Sequence, residues 1–196
     1  MTTNRTRSFA AVAAIAVGVS LTACSQDAET TPTAATSAVT STSSAAASTT
    51  EPVPTDSSDK TSAAGTESKL TVVDIRVGEH DGFDRVVYEM GGTGTPGWRV
   101  KYVDSATQEG SGKPVDIKGA AVIQVLIDGS AYPFDSGVEQ YSGPNPVPGV
   151  GGVVTEVNGS NVFEGVTQSF IGVTEKQPFM VTTLSDPPRV VVDVAR

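Results

Sequence analysis

Cysteine and histidine are nearly missing from this chain: Cys24 and His80 stand alone among 196 residues. A single thiol can form no internal disulfide and no cysteine-based metal cluster. A single imidazole excludes a zinc hydrolase built on paired histidines, and any Ser-His-Asp chemistry would have to use His80. Cations are scarce as well. There are 13 Lys and Arg against 22 Asp and Glu, and only nine cations lie beyond residue 69. A nucleic-acid interface needs clustered positive charge to neutralise phosphates, so no nucleic-acid partner is expected. Beyond residue 69 no segment keeps a 3.6-residue apolar period. The 20 Gly and 12 Pro interrupt what helical propensity there is, which excludes a helical fold.

The front of the chain reads as an address. Met1 to Ser8 carries Arg5 and Arg7 and no acid, and Phe9 to Leu21 is an uncharged run of 13 residues. That is the n-region and h-region pattern of a secretory signal. A helix of this length spans roughly 20 Å, short of the ~30 Å hydrocarbon core, which disfavours a permanent membrane span. Directly behind it, Leu21-Thr22-Ala23-Cys24 resembles the bacterial lipobox. The resemblance implies cleavage before Cys24, a lipoprotein signal peptide over 1–23, and a diacylglyceryl thioether on Cys24 that carries two acyl chains such as palmitate. Two acyl chains suffice for stable anchoring, where one holds marginally. The trimmed chain would be more acidic still and is repelled by anionic headgroups, so the lipid supplies the membrane contact. The expected location is the outer face of the bacterial cytoplasmic membrane.

From Ser25 to Thr66, 29 of 42 residues are Ser, Thr or Ala, with Pro32, Pro52 and Pro54 and no aromatic. So little apolar surface does not offset chain entropy, and residues 24–69 are expected to form a disordered tether. It would hold the folded part roughly 35 Å from its anchor on average.

After Lys69 the composition turns to Val, Ile, aromatics and Gly in short runs, which predicts an all-β domain over 70–196, a β-sandwich or open barrel of about eight strands. Val73, Ile75 and Val77 alternate with Asp74 and Arg76. After the Glu79-His80-Asp81-Gly82 turn, Val86, Tyr88 and Met90 alternate with Val87 and Glu89, giving a hairpin. Trp98, Val100 and Tyr102 share one face, opposite Arg99 and Lys101. Ala121 to Ile127 reads as a central strand covered on both sides. Asn158-Gly159 predicts a type I′ hairpin between the runs at 153–157 and 162 onward. Phe179, Val181 and Thr183 mark another strand, and Val190, Val192 and Val194 the last. A short helical turn is expected near 104–110 or 135–141.

The closing stretch Phe179-Met-Val-Thr-Thr-Leu-Ser-Asp-Pro-Pro-Arg-Val-Val-Val-Asp-Val194 resembles the end of an AMIN domain. Asp81-Gly-Phe-Asp-Arg-Val-Val-Tyr-Glu-Met90 resembles its early strand. With Pro96-Gly-Trp-Arg-Val-Lys-Tyr-Val-Asp104 and Phe163-Glu-Gly-Val166, the pattern is similar to the AMIN-like domain of actinobacterial lipoproteins over about 70–196. AMIN domains are non-catalytic β-sandwich modules that bind peptidoglycan or envelope proteins. The resemblance therefore implies a cell-envelope binding module and no enzyme. Residues 104–162 are an insertion relative to the short AMIN pattern, and no amidase domain follows.

Candidate site residues follow from chemistry. Sugars stack on exposed aromatics with a polar handle, and Tyr132, Phe134 and Tyr141 sit in turn-rich sequence suited to that. Trp98 joins them as a ligand candidate, with a core position as the competing reading, and Arg85 supplies a cation. Asp84 and Arg189 read as turn-bracing residues: Asp84 beside Arg85, and Arg189 after Pro187-Pro188 pairing with Asp186 or Asp84. Glu79, His80, Asp81 and Asp84 fall within six residues, but ligands adjacent on one turn rarely converge, so neither a metal nor another cofactor is expected. Ser142 to Gly152 is either a binding loop or a flap over a sheet edge. The favoured reading is a lipid-anchored binding module for cell-wall glycan or an envelope protein. Its alternatives are an envelope glycan hydrolase using a carboxylate pair and a lipid or small-molecule carrier.

Overall fold

In a computed structural model the chain is described for residues 51–196. The signal peptide 1–23, Cys24 and the tether as far as residue 50 lie outside the described residues. Ten strands and one short helix follow in order: β1 Lys60–Ser62, β2 Lys69–His80, β3 Phe83–Thr93, β4 Gly97–Val103, β5 Ala121–Asp128, α1 Pro133–Ser136, β6 Val147–Pro148, β7 Val154–Phe163, β8 Val166–Val173, β9 Phe179–Leu184 and β10 Arg189–Ala195. They form two antiparallel sheets, a larger one in the order β1-β4-β5-β8-β7-β6 and a smaller one in the order β2-β3-β10-β9. The fold is a β-sandwich, and the two strands beyond the expected eight or so are its shortest, β1 and β6.

Period-two alternation decides which side chains fill the space between the sheets. Val86, Tyr88 and Met90 of β3 face Ile123, Val125 and Ile127 of β5 and Ile171 and Val173 of β8, with Val190, Val192 and Val194 of β10 beside them. Trp98 and Val100 of β4 point the same way. Tyr88 brings a polar atom into this core, and its hydroxyl meets Ser169 Oγ at 3.0 Å. Burial pushes the phenol pKa up, so it stays protonated.

Strand β2 departs from the simple alternation. A bulge between Val72 and Asp74 adds one residue to the ladder with β3. Leu70 and Val72 are inward before it and Ile75 after it, while Val73 turns out to lie beside Gly91 and Val138. The predicted Asn158-Gly159 hairpin is also corrected. Strand β7 runs straight through those residues with a register irregularity between Asn158 and Asn161. The chain reverses instead at Glu164-Gly165, whose φ values of 48° and 80° are both positive, as a type I′ turn requires.

Residues 51–66 differ from the expected tether. Pro54 is buried, the Phe179 N–H donates to the Asp56 carbonyl at 2.9 Å, and β1 pairs with β4 through Lys60↔Val100, Thr61↔Arg99 and Ser62↔Trp98. Composition misses this segment because backbone pairing and ion pairs hold it, with little apolar burial of its own. Residues 104–120 form a strap over the outer face of β7 and β8. The Gln168 side chain accepts from Glu109 N–H at 2.9 Å and donates to the Thr107 carbonyl at 3.0 Å, and Glu156 accepts from Lys118 N–H at 2.9 Å. The strap gives β8 its second covered face, so Phe170 is buried on the side away from the core. Ser142 to Gly152 is an edge flap, with Val147 and Pro148 pairing to Val157 and Glu156 of β7.

Candidate binding surface

Between β5 and β6 the chain crosses from the large sheet to the edge of the small one. Leu70 N–H donates to Gly129 O, Ala131 N–H to Leu70 O and Tyr141 N–H to Val72 O, at 3.1, 2.8 and 2.8 Å. Ser130 fixes the crossing from the other side: its N–H donates to Gly165 O at 2.9 Å, and its hydroxyl lies 2.7 Å from Thr167 Oγ1. Thr71 Oγ1 donates to the Ala131 carbonyl at 2.8 Å. The crossing is therefore tied to both sheets by buried hydrogen bonds, each worth about 1 kcal/mol net.

What this brace presents is α1, one turn with Pro133 at its start and Gly137, at φ 77°, ending it. The helical turn expected near 135–141 is this element, begun two residues earlier. No buried residue belongs to it. Tyr132 and Phe134 flank Pro133 with their rings stacked at 5.5 Å between centroids and 9° between planes. Tyr132 is 41% and Phe134 82% exposed, so the pair forms an open aromatic surface with one hydroxyl handle. Such a surface suits a partner with a flat apolar face and polar edges, as a pyranose ring has. Phe163, 40% exposed at the neighbouring β7–β8 turn, adds a third exposed aromatic to the same end of the sandwich. Sequence reasoning passed over Phe163 as a strand residue; the Glu164-Gly165 turn directly after it was the available signal.

The structure does not gather the other candidates there. Trp98 is 9% exposed in the core, and its indole N–H donates to Thr183 Oγ1 at 2.9 Å. Tyr141 packs against the core, donates from its hydroxyl to the Pro144 carbonyl at 2.9 Å, and so holds the flap. Its pKa is raised by burial and secondarily by the nearby Asp74 charge. Arg85 grips Asp193 through Nε and Nη2 at 2.7 and 2.8 Å and reaches Glu51 through Nη1 at 2.9 Å. These bonds raise its pKa further, the Asp193 bond most, so it is permanently charged.

The turn-bracing residues take partners other than those expected. The fully buried Asp84 accepts from Arg196 Nε at 2.7 Å and from Val154 N–H at 2.9 Å, rather than bracing Arg85. Gly152 lies so close that a Cβ there would collide with the Asp84 carboxylate. Arg189 donates to the carbonyls of Pro187 and Ser185 and pairs with neither Asp186 nor Asp84. In the acidic turn the side chains diverge. Glu79 pairs with Arg196 at 2.6 Å, while His80 stacks on Phe83 and bonds Glu51 through Nδ1 at 3.0 Å. Arg196 holds the Glu79 carboxyl below its ordinary range, and Arg85 does the same for Glu51.

The three buried acids among the described residues are thus each matched. Asp84 meets Arg196, Asp193 meets Arg85, and Glu156 meets the Lys118 N–H and ammonium. Side chains fill the space between the sheets.

Two antiparallel sheets packed face to face define the class as a small β-sandwich domain. More particularly, the AMIN-like domain family matches residues 70–196, and the chain belongs to that family, whose members are generally cell-wall binding modules. No curated protein and no solved structure matches the chain.

Proposed function

We propose that the protein is a lipid-anchored, non-catalytic module that binds cell-wall glycan at the outer face of the cytoplasmic membrane, with Tyr132 and Phe134 as its stacking platform. The observation that carries this reading is the exposed, parallel Tyr132–Phe134 pair on a turn fixed to both sheets. Rigid aromatics lose little entropy on binding, which favours such a turn over a mobile loop. Membership of the AMIN-like family supports a wall ligand, and the Leu21-Thr22-Ala23-Cys24 motif supports the anchor.

The test incubates the detergent-solubilised full chain with purified cell walls. Sedimentation with the walls is expected, reduced about tenfold or more in a Tyr132→Ala, Phe134→Ala double variant, since each stacked ring contributes roughly 0.5–1.5 kcal/mol. Equal sedimentation of the two proteins would remove the platform from the proposal. The anchor is tested separately. Cys24→Ser is expected to stay unprocessed and to lose acyl-chain labelling, and an unchanged product would refute lipidation.

A further inference from the structure

We infer that Asn158-Gly159 is a latent deamidation site: the flap and the strap hold its reacting groups, and when both open the backbone cyclises and Asn158 becomes an acid. The site shares no residue with the Tyr132–Phe134 platform.

Asn158 is the one Asn of this chain that Gly follows. In an unfolded chain that pair is the most reactive Asn sequence, because a residue without Cβ leaves its peptide nitrogen free to approach the preceding side-chain amide. The fold does not spend the pair on a hairpin turn. Gly159 sits at φ 88° where the ladder passes from Asn158↔Phe170 to Asn161↔Gln168, so residues 159 and 160 of β7 stand against residue 169 of β8. A bulge of that kind takes Gly at its positive φ.

Each reacting group is occupied. The Gly159 nitrogen is the nucleophile, and its N–H donates to Asn145 Oδ1 of the flap at 3.0 Å. The Asn158 Nδ2 is the leaving group, and it donates to the Asp116 carbonyl of the strap at 3.0 Å. The Asn158 carbonyl accepts from Ser169 Oγ at 3.1 Å, which fixes the plane of the peptide between them. Ring closure needs a ψ at residue 158 far from the extended range that pairing with Phe170 imposes. The ring cannot close while these contacts hold.

The contacts belong to the parts of the fold that open most easily. Residues 109–114 of the strap and 142–146 of the flap are exposed, so their opening costs a small part of what unfolding the core costs. A cavity of about 420 Å³ bounded by Asp116 and Lys118 of the strap, Pro146 of the flap and Asn158 itself brings water to the amide.

The chemistry follows from the two groups. When strap and flap let go, the Gly159 nitrogen gives its proton to solvent hydroxide and bonds to Asn158 Cγ. Nδ2 leaves as ammonia, and a cyclic imide remains. Water then adds to one imide carbonyl and breaks its bond to nitrogen, giving aspartate or isoaspartate at 158. Nothing is oxidised or reduced. Either product sets a new carboxylate near Glu156, which already accepts the Lys118 N–H, and turns an acceptor toward the Asp116 carbonyl where a donor stood. The strap loses a hydrogen bond and meets repulsion, so the modified chain holds it more loosely. The change is one-way and accumulates with every opening.

Mass-spectrometric sequencing of the detergent-solubilised full chain, incubated at mildly alkaline pH, tests this. Conversion at residue 158 is expected in denaturing urea and at least ~30-fold slower in the folded chain. Asn145→Ala, which frees the Gly159 N–H, should convert at least ~5-fold faster than the parent, whereas Asn145→Asp keeps the acceptor oxygen and should match the parent within about twofold. Sub-denaturing urea should speed conversion and Gly159 amide exchange by the same factor, and that measurement decides the question if Asn145→Ala does not fold. Absence of conversion in urea, equal rates in folded and unfolded chains, an Asn145→Ala rate equal to the parent's, or conversion that does not follow Gly159 exchange would each overturn the inference. Asn158→Asp supplies the product directly and should speed exchange of the Lys118 amide about tenfold. An unchanged Lys118 amide would overturn the loosening of the strap. Wall sedimentation through Tyr132 and Phe134 would stand whichever result is obtained.

Discussion

The two ends of the sandwich are built on opposite principles. Where β2 turns into β3, charged side chains are buried and matched: Asp84 with Arg196 and the Val154 N–H, and Asp193 with Arg85, which also holds Glu51. Where β5 leaves the large sheet and β7 turns into β8, aromatic side chains are exposed: the stacked Tyr132 and Phe134, and Phe163 lying against Gly110 of the strap. Each end departs from the usual apolar-in, polar-out arrangement, and the departures have different consequences. A buried, satisfied carboxylate fixes structure, because losing its partner leaves an unpaired polar group. An exposed aromatic on a braced turn contributes little to folding and is free to contact a ligand. Stability should therefore be concentrated at the ionic end and recognition at the aromatic end.

The strongest challenge to this contrast is Asp84→Ala. It removes two hydrogen bonds to a buried carboxylate and orphans the Val154 N–H, so a loss of about 3 kcal/mol in urea unfolding is expected. A loss below about 1 kcal/mol would put the stability elsewhere. Phe134→Ala should show the converse, with unfolding free energy unchanged within about 0.5 kcal/mol and wall sedimentation weakened several-fold. Destabilisation comparable to that of Asp84→Ala would make Phe134 a structural residue and erase the contrast.

Acid should act on the ionic end first. The Glu79 and Glu51 carboxyls sit below their ordinary value of 4.5 because Arg196 and Arg85 bond their charged forms. A depressed carboxyl contributes stability that is fully present above its unfolded value and is lost as pH falls through its folded one. The urea midpoint is expected to hold steady down to about pH 5 and then to decline, with a shallower decline in Glu79→Gln. Parallel pH profiles for the two proteins would remove Glu79 from the account. The smallest effect is expected at the aromatic end, where Glu164 holds a φ of 48° in the turn beside the α1 loop. Asn tolerates that conformation better, so Glu164→Asn should stabilise by about 0.5 kcal/mol, read as a raised melting midpoint, without altering wall binding.

Much of the fold was legible. Alternation in 86–90, 98–102 and 190–194 placed the inward rows, because period two leaves little choice once one face is apolar. The errors arose where alternation or composition is a poor guide. The bulge after Val72 reverses the outward row, so Val73 faces away from Ile75. Asn158-Gly159 carries a strong turn signal, yet the chain turns six residues later, because pairing of Asn161, Val162 and Phe163 with β8 extends β7 through it. Residues 51–66 look like linker by composition and are held by β4, Phe179 and Arg85. Among the candidate residues, Tyr132 and Phe134 lie exposed, as their turn-rich surroundings suggested. Trp98, Tyr141 and Arg85 have the same chemistry in sequence, and only their neighbours in space divert them to the core, the flap and Asp193.

By itself the sequence determined the β class, the inward rows and the acidic, cysteine-poor character, because these depend on residue type and local period alone. Tertiary structure alone decided which aromatics stay exposed and which arginine meets which acid. Those outcomes depend on contacts between residues far apart in the chain, such as Asp84 with Arg196 or Ser130 with Gly165, and no local pattern encodes them.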